Sequence, residues 1–367
     1  MDKQAALQHF REQYFNPLLD EQLNLLETAY HREQGQLISG FKASFRSLCL
    51  HIHSIQQREL KGPVGYIHYS FLRTQVLEQT YHYMTEAYDT AWYEDDSDCK
   101  STYDASWAYA PISTMLSILE QERKRYMGVL NPADIERLLL ESMPLFHQFV
   151  SSILRLSIGE AVRMPEYQTI LKAERLLIRT GEYMDISENI YVDDQHLPQG
   201  DEIREQLMQA STEEPFIYEN LKHLSLHHLE LMDKDLRYND FSHSHLQGGR
   251  YHNCNLVGSR WQQADLEDGS FRGCLLTDAD FRYAHMKGVD FSQASGEAYR
   301  NKGLRLPGLV GIHFEHANLD AADFTAVQAF EHAYFEGASM LGTRVPRMFQ
   351  QHWQLSDTQR QSIVWIE

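Results

Sequence analysis

The sequence predicts an α+β chain in two parts: a mainly helical N-terminal domain with a β-hairpin, followed by a repeat-built segment. Three observations predict it. From Leu221 to Phe291 an apolar residue recurs at every fifth position, fifteen times without a break. Upstream, apolar residues recur at steps of three and four, the spacing of a helix with one buried face. Between those helical stretches lie two segments rich in Tyr, Ile, Val, Thr and Phe in partial alternation, which suits paired strands. A fixed step of five belongs to neither the helical nor the strand period, so the last third reads as an internal repeat.

Taken in order, Asn16 and Pro17 read as an N-cap followed by a proline in the first turn, with Asp20 and Glu21 near the positive end of the helix. Leu19, Leu23, Leu26 and Tyr30 form its stripe, and a second helix carries Leu37, Phe41, Phe45, Leu48, Ile52 and Ile55. His51 and His53 are two apart on that helix and point to different faces, so they make a poor metal pair. The hairpin is expected over Val64–Leu77 and Thr80–Tyr88. Residues 92–109 are aromatic and acidic; Asp95, Asp96 and Asp98 lack the glycine and terminal glutamate of a calcium loop and read as a solvated acidic turn. Asn131 and Pro132 repeat the helix start before Ile135, Leu138 and Leu139, and Pro144 is expected to divide that helix from one bearing Leu145, Phe149, Ile153 and Leu156. The expected domains are residues 1–200, mainly helical; 201–220, an acidic connector; 221–341, the repeats; and 342–367, a C-terminal cap.

Within the repeats the large residues are Leu221, Leu226, Leu231, Leu236, Phe241, Leu246, Tyr251, Leu256, Trp261, Leu266, Phe271, Leu276, Phe281, Met286 and Phe291. From Asn239 onward a compact side chain stands two places before the next of them, as at Ser244, Gly249, Cys254, Ser259 and Ala264. Ala264-Asp265-Leu266, Ala279-Asp280-Phe281, Ala317-Asn318-Leu319 and Ala322-Asp323-Phe324 resemble the A-D/N-L/F signature of the pentapeptide-repeat family. That resemblance covers about a third of the chain and implies a right-handed quadrilateral β-helix, with one pentapeptide per side and four per coil. Phe241, Tyr251, Trp261, Phe271, Phe281 and Phe291 fall at intervals of ten and form the expected structural core. On a four-sided coil, residues twenty apart stack at the ~4.8 Å spacing of adjacent strands. Cys254 and Cys274 then stack as buried, inert packing units. Gly296 interrupts the row, Ser295–Gly303 leaves it as a loop, and Leu304, Leu309, Phe314, Leu319 and Phe324 restart it; a one-residue slip leads to Phe330, Phe335 and Met340. Beyond the repeats, Ser356 or Asp357 caps a short helix leading to Ile363, Val364, Trp365 and Ile366, with Trp353 just upstream.

The formal net charge of −19 is concentrated upstream, since residues 221–341 hold 11 Lys and Arg against 16 Asp and Glu, a net of −5. A broadly acidic surface disfavours direct binding of nucleic acid or an anionic membrane. No apolar run approaches the roughly 18 residues of a membrane span, and the first residues are too charged for a secretory signal. Four cysteines in this length make no disulfide framework, and a cytoplasmic location is expected.

There is no P-loop, G-x-S-x-G elbow or H-E-x-x-H, so no catalytic residue, metal or cofactor is assigned and enzymatic activity is not expected. Two outward columns stand out: His245, Asp265 and His285, and Asp240, Arg260 and Asp280. The first reads better as a hydrogen-bonded ladder than as a metal site, because no fourth ligand is identifiable. Tyr299, Arg300, Lys302 and Arg305 give the interrupting loop a basic tip for an acidic partner or for the chain's own acidic first domain. These features rank a non-catalytic protein-interaction scaffold first. The resemblance implies a second reading, a DNA-mimicking protector of a type II topoisomerase, which the charges of Arg250, Arg260, Arg272, Arg282 and Lys287 weaken. An enzyme or ligand-binding activity in residues 1–200, served by the rod as an arm, is third. The resemblance also implies a homodimer through the C-terminal end.

Overall fold

The computed structural model describes residues 2–195, 200–210, 215–297, 300–301, 304–305 and 308–367, with 300–301 and 304–305 described by their backbone. The chain divides into two compact units, Met1–Asp193 and Asp194–Glu367.

The first unit begins with helix α1 (Lys3–Phe10), capped by the Asp2 carboxylate, which accepts from the Ala5 amide at 2.8 Å. A π-turn over Arg11–Phe15 carries it without a break into α2 (Asn16–Gln57). The cap expected at Asn16 is therefore at Asp2, and the two expected helices are one of 42 residues. Pro17 cannot donate to the turn before it, and a widened turn is one way for a helix to absorb a proline. Gly35 and Gly40 stand where an added Cβ meets nothing within 4 Å, so neither marks a break.

The hairpin consists of β1 (Val64–Phe71) and β2 (His82–Tyr88), which pair antiparallel with His68 opposite Glu86, and the short α3 (Arg73–Leu77) lies between them. It belongs to a larger sheet than expected. Strand β3 (Lys100–Asp104) adds antiparallel to β2; β4 (Lys172–Glu182) adds parallel to β1; and β5 (Ser187–Asp194) follows, in the order β3-β2-β1-β4-β5. The helices α4 (Ser106–Arg123), α5 (Pro132–Ala161) and α6 (Pro165–Gln168) complete the unit. Asn131 caps α5 through a reciprocal bond with Asp134. Pro144 does not divide α5: Phe146, Phe149, Val150 and Ile153 beyond it are buried like Leu138, Leu139 and Met143 before it. An interior proline costs a helix about 3 kcal/mol, and burial of several such side chains at roughly 1.5–3 kcal/mol each exceeds that.

One sheet face packs on helices. Tyr69 lies 5.4 Å from Phe41 of α2, and Phe71 lies 5.1 Å from His147 of α5, between ring centroids. His147 joins a polar chain beneath this face: the Tyr83 hydroxyl is 2.6 Å from Nδ1 and 2.7 Å from the Tyr109 hydroxyl, and Ser151 Oγ is 3.1 Å from Nε2. Burial lowers the His147 pKa from 6.5 to about 4.

The second unit opens with α7 (Gly200–Gln209), inside the stretch expected to be a connector; its Ile203 and Leu207 join the core of the repeats. From there parallel bridges join residues twenty apart: Asn220 to Asp240, Asp240 to Arg260, and Arg260 to Asp280, with the same offset on the other sides. Four pentapeptides thus return the chain to its own side. The expected walls are ladders of mostly single bridges, with extended strands only at places such as Glu230–Met232 beside Arg250–His252. A corner explains this: the second residue after each large inward one turns to positive φ, as at His223, Tyr238, His243, Gln263 and Tyr283, and ends the extended run.

All fifteen large residues from Leu221 to Phe291 are buried. Their rings form two stacks, Phe241–Trp261–Phe281–Phe314–Phe335 at 4.1 to 5.9 Å and Tyr251–Phe271–Phe291–Phe324 at 4.9 to 5.4 Å. The interruption is longer than expected. Ser295 is still bridged to Leu275, but Asp280 pairs with His313, so the offset grows from 20 to 33 and the row resumes at Phe314. Leu309 is buried but lies within this insertion, as does Leu304. Gly296 is required by space: a Cβ there would stand 2.4 Å from the Ala329 carbonyl, and the Ile312 side chain lies beside it.

The C-terminal segment both covers and extends the ladder. Trp353 is buried 4.2 Å from the Phe335 ring and donates to the Phe330 carbonyl at 2.7 Å. Ser356 caps α8 (Asp357–Ser362) with Gln359 in reciprocal bonds, and the Gln359 amide donates to the Phe335 and Ala338 carbonyls. Val364–Ile366 then pairs parallel with Arg344–Pro346 as one more rung.

Two outcomes follow. Phe271→Asp, in the middle of its stack, should destabilise the second unit by roughly 4 kcal/mol or more through the lost ring and the buried charge; an unchanged thermal transition would remove Phe271 from the core. For His147 the folded pKa lies below the unfolded one, so stability present above pH 6.5 is lost as pH falls toward about 4. By about pH 5 the loss should be roughly 2 kcal/mol. His68, lowered to the same value, adds a like slope, so denaturant melts across this range should steepen further and His147→Gln should remove roughly half of the pH dependence.

Candidate functional site

On the repeats, the expected outward column is present as a ladder: His245 bridges Asp265, and Asp265 bridges His285. His285 Nδ1 is 3.2 Å from Asp265 Oδ1, and the Gln247 amide donates to Asp265 Oδ2. His245 instead faces His227, 6.4 Å away between centroids. The second column is a run of alternating charge, with Arg260 3.8 Å from Asp240 and Asp280 2.6 Å from Arg282. Among the described residues no three His, Cys, Asp or Glu side chains are grouped to hold a metal. Cys254 and Cys274 are buried. Of the expected loop contacts, Tyr299 and Lys302 lie outside the described residues; the backbones of Arg300 and Arg305 pair antiparallel, as do Asn301 and Leu304.

The first unit holds a buried polar row that the sequence reading missed. Alternation along the strands sends Tyr66, His68 and Ser70 of β1, with Met84, Glu86 and Tyr88 of β2, to the face opposite the helices. Register then aligns Lys100, Glu86, His68 and Arg179 in one row across β3, β2, β1 and β4. Glu86 and His68 are 2% and 1% exposed, so charge and imidazole are withdrawn from water in mid-sheet. The Lys100 ammonium is 3.6 Å from Glu86, and Arg179 donates to Ser187 and to the Asn189 side chain on β5. His68 is held down to about 4, first by burial and then by the Arg179 charge, and so is neutral near pH 7. Burial, then the neighbouring Glu86 carboxylate, pushes the Tyr88 phenol up.

Four aromatic rings surround His68: Trp92 at 5.4 Å, Tyr88 and Tyr93 at 5.8 Å, and Tyr66 at 6.3 Å between centroids. Trp92 stacks on Tyr66 at 4.2 Å and lies under the Arg179 guanidinium at 5.3 Å. The loop bearing Trp92 and Tyr93 is held by Asp95, which is no solvated turn residue: its carboxylate is 5% exposed and accepts from Lys61 Nζ at 2.6 Å and from the amides of Asp89 and Ser97 at 2.8 Å each. Those bonds hold its pKa down at about 2, against the opposing effect of burial, which is the largest single influence. Alternation in GYIHYSFL and TYHYMTEAY could have placed His68 and Glu86 on one face. Arg179 could not be added, because β4 lies more than a hundred residues away and was not read as a strand.

Residues 254–293 match the family model for pentapeptide repeats, in eight copies. No curated protein matches the chain. Among solved structures, QnrB1, a plasmid-mediated fluoroquinolone resistance protein, is 13% identical over 42% of this chain and 92% of its own, with a TM-score of 0.24. Rfr23, a pentapeptide repeat protein of the cyanobacterium Cyanothece 51142, is 18% identical over 41% of this chain and 90% of its own, at 0.12. HetL, a pentapeptide repeat protein involved in heterocyst differentiation regulation in Nostoc sp. strain PCC 7120, is 19% identical over 41% and 82%, at 0.14. The family model and the twenty-residue ladder meet on the same residues: 254–293 of the second unit match pentapeptide repeats, and the first unit lies outside the matched segment.

Proposed function

We propose that the protein is a non-catalytic, cytoplasmic interaction scaffold in which the repeats form a right-handed, four-sided β-helix that presents its outer ladders to a protein partner. The observation that carries this reading is the unbroken twenty-residue pairing from Asn220 to Ser295, which holds outward side chains such as Arg250, Glu267 and Lys287 on a regular backbone grid. A rod of this kind needs only neighbour-to-neighbour contacts for stability and offers a broad surface at little conformational cost. No helix among the described residues is long and apolar enough to cross a membrane.

Mimicry of a DNA duplex, with a type II topoisomerase as target, is the weaker alternative. Its columns should be acidic, whereas Asp240 has Arg260 and Lys222 within 4 Å, and Asp323 has Arg344 at 2.7 Å. The basic tip at Tyr299, Arg300, Lys302 and Arg305 belongs to the proposed contact surface.

Affinity capture with the full chain should recover one protein partner. Replacing Tyr299, Arg300 and Lys302 together by alanine should weaken that capture roughly tenfold while leaving the melting temperature unchanged. Capture unaffected by the triple change would reduce the loop to an insertion. In a gyrase supercoiling assay with and without a quinolone, the protein should have no effect at micromolar concentration; clear inhibition or protection would favour the DNA mimic. A homodimer through the C-terminal end forms part of the reading, because Val364–Ile366 is paired on one side only among the described residues. Light scattering should report twice the chain mass, and a clean monomer at high concentration would remove it.

A further inference from the structure

The row beneath Trp92 is costly to build, and stability alone gives no reason for it. The Glu86 oxygens have only the Tyr88 phenol and the Lys100 ammonium, 3.6 Å away, beside them, and His68 Nε2 and the Trp92 indole N–H have no hydrogen-bond partner, all four atoms being buried. Each buried polar atom left unbonded costs roughly 1–3 kcal/mol, and these four lie around one spot. Trp92 also has φ of 58°, a left-handed conformation that a bulky side chain rarely adopts. Strain and unmet hydrogen bonding at one place mark a site under functional constraint.

The loop above that spot is anchored at both ends. One carboxylate, Asp95, holds both of its ends through the Asp89 and Ser97 amides and ties them to the buried Lys61. Between those pins, Thr90–Glu94 carry Trp92 and the 41% exposed Tyr93 over His68. We propose that this sheet face is a ligand site, gated by Trp92 and Tyr93, for a small neutral heterocycle whose edge carries two neighbouring N–H donors beside a carbonyl acceptor.

Each part of that description follows from a group on the face. A cationic ligand would meet Lys100 and Arg179 on either side, and an anionic one would meet Glu86, so the ligand is neutral. The Glu86 carboxylate can take two parallel N–H bonds, the geometry in which a carboxylate binds most strongly. The Trp92 N–H supplies the donor that a ligand carbonyl needs, and neutral His68 adds a donor or an acceptor without a charge. Tyr66, Tyr88, Trp92 and Tyr93 favour a flat ring against their faces. The 2-amino-4-oxopyrimidine edge shared by guanine and pterins has this pattern. The site lies wholly within the first unit and does not depend on the scaffold reading.

The test is calorimetric titration of the full-length protein with guanosine and, separately, with 6-methylpterin, alongside adenosine and glucose. Saturable binding of guanosine, of the pterin or of both supports the site and tells which source of the edge fits; adenosine and glucose should bind at least roughly tenfold more weakly. Glu86→Gln should weaken binding by roughly tenfold or more, and Trp92→Phe, which keeps an aromatic face of smaller area and removes the N–H, should weaken it by a smaller factor. Thermal melts of both variants check that they are folded, so that a loss of binding is read as loss of the contact. The proposal is overturned if neither probe binds at millimolar concentration, if adenosine or glucose binds as well, or if folded Glu86→Gln and Trp92→Phe both bind like wild type.

Discussion

Backbone pairing between residues twenty apart is the constraint on which the second unit depends. Most of its amides find a carbonyl one coil away, as when Phe271 N–H meets Asp290 and Ser270 N–H meets Gly249, and the compact position donates within its own turn, as Cys274 N–H does to Phe271. The chain can satisfy this only if every side has the same length and every corner turns alike. A five-residue period is the result. Inside so narrow a coil there is room for one large side chain per repeat, and the position two before the next must be small. Gly269 shows how tight this is, because a Cβ there would stand 2.9 Å from the Leu266 carbonyl. Corners impose their own demand, met by residues that accept positive φ or by large polar ones held by stacking, as in the His223–His243 and Tyr283–His316 pairs at 4.9 Å.

A ladder of this type must be ended as well as propagated. At its start α7 supplies Ile203 and Leu207 to the core, and Arg204 donates to the His227 carbonyl. At its finish Trp353 and Gln359 take up carbonyls that would otherwise face no donor. The same side chains do two things at once, covering apolar rings and satisfying backbone. In the middle the ladder tolerates a large insertion, because removing residues from one corner leaves the pairing of the neighbouring coils intact: Phe281 stacks on Phe314 at 5.3 Å across the gap.

The first unit follows a different economy. Its helix-facing side is aromatic, and Tyr83, His147 and Ser151 form a polar chain there, while the Tyr69 and Thr85 hydroxyls have no such partner. The opposite face buries Glu86 and His68 without such bonds, under a loop whose tryptophan is in an unfavourable backbone conformation. Unmet polar atoms occur on both faces, and what sets the opposite one apart is that a buried carboxylate and imidazole lie side by side under a strained tryptophan.

Local spacing was enough to determine which residues from Leu221 to Phe291 turn inward, where the helical stripes run, and that a cap at Ser356 or Asp357 starts the last helix, because those properties depend on neighbours within about five positions; it misplaced Leu304 and Leu309, which lie in the insertion. Tertiary structure decided the rest. Whether Pro17 and Pro144 break a helix depends on the balance between a missing hydrogen bond and the packing of distant side chains, and packing prevailed at both. The site row required β4 to lie beside β1, a pairing between residues more than a hundred positions apart that no local pattern specifies. Gly296 reads in the sequence as an interruption of the row, and the structure makes it a point of close backbone approach, which only the returning coil at Ala329 imposes. Period and polarity are written locally, whereas contact and unmet bonding arise only when remote segments are brought together.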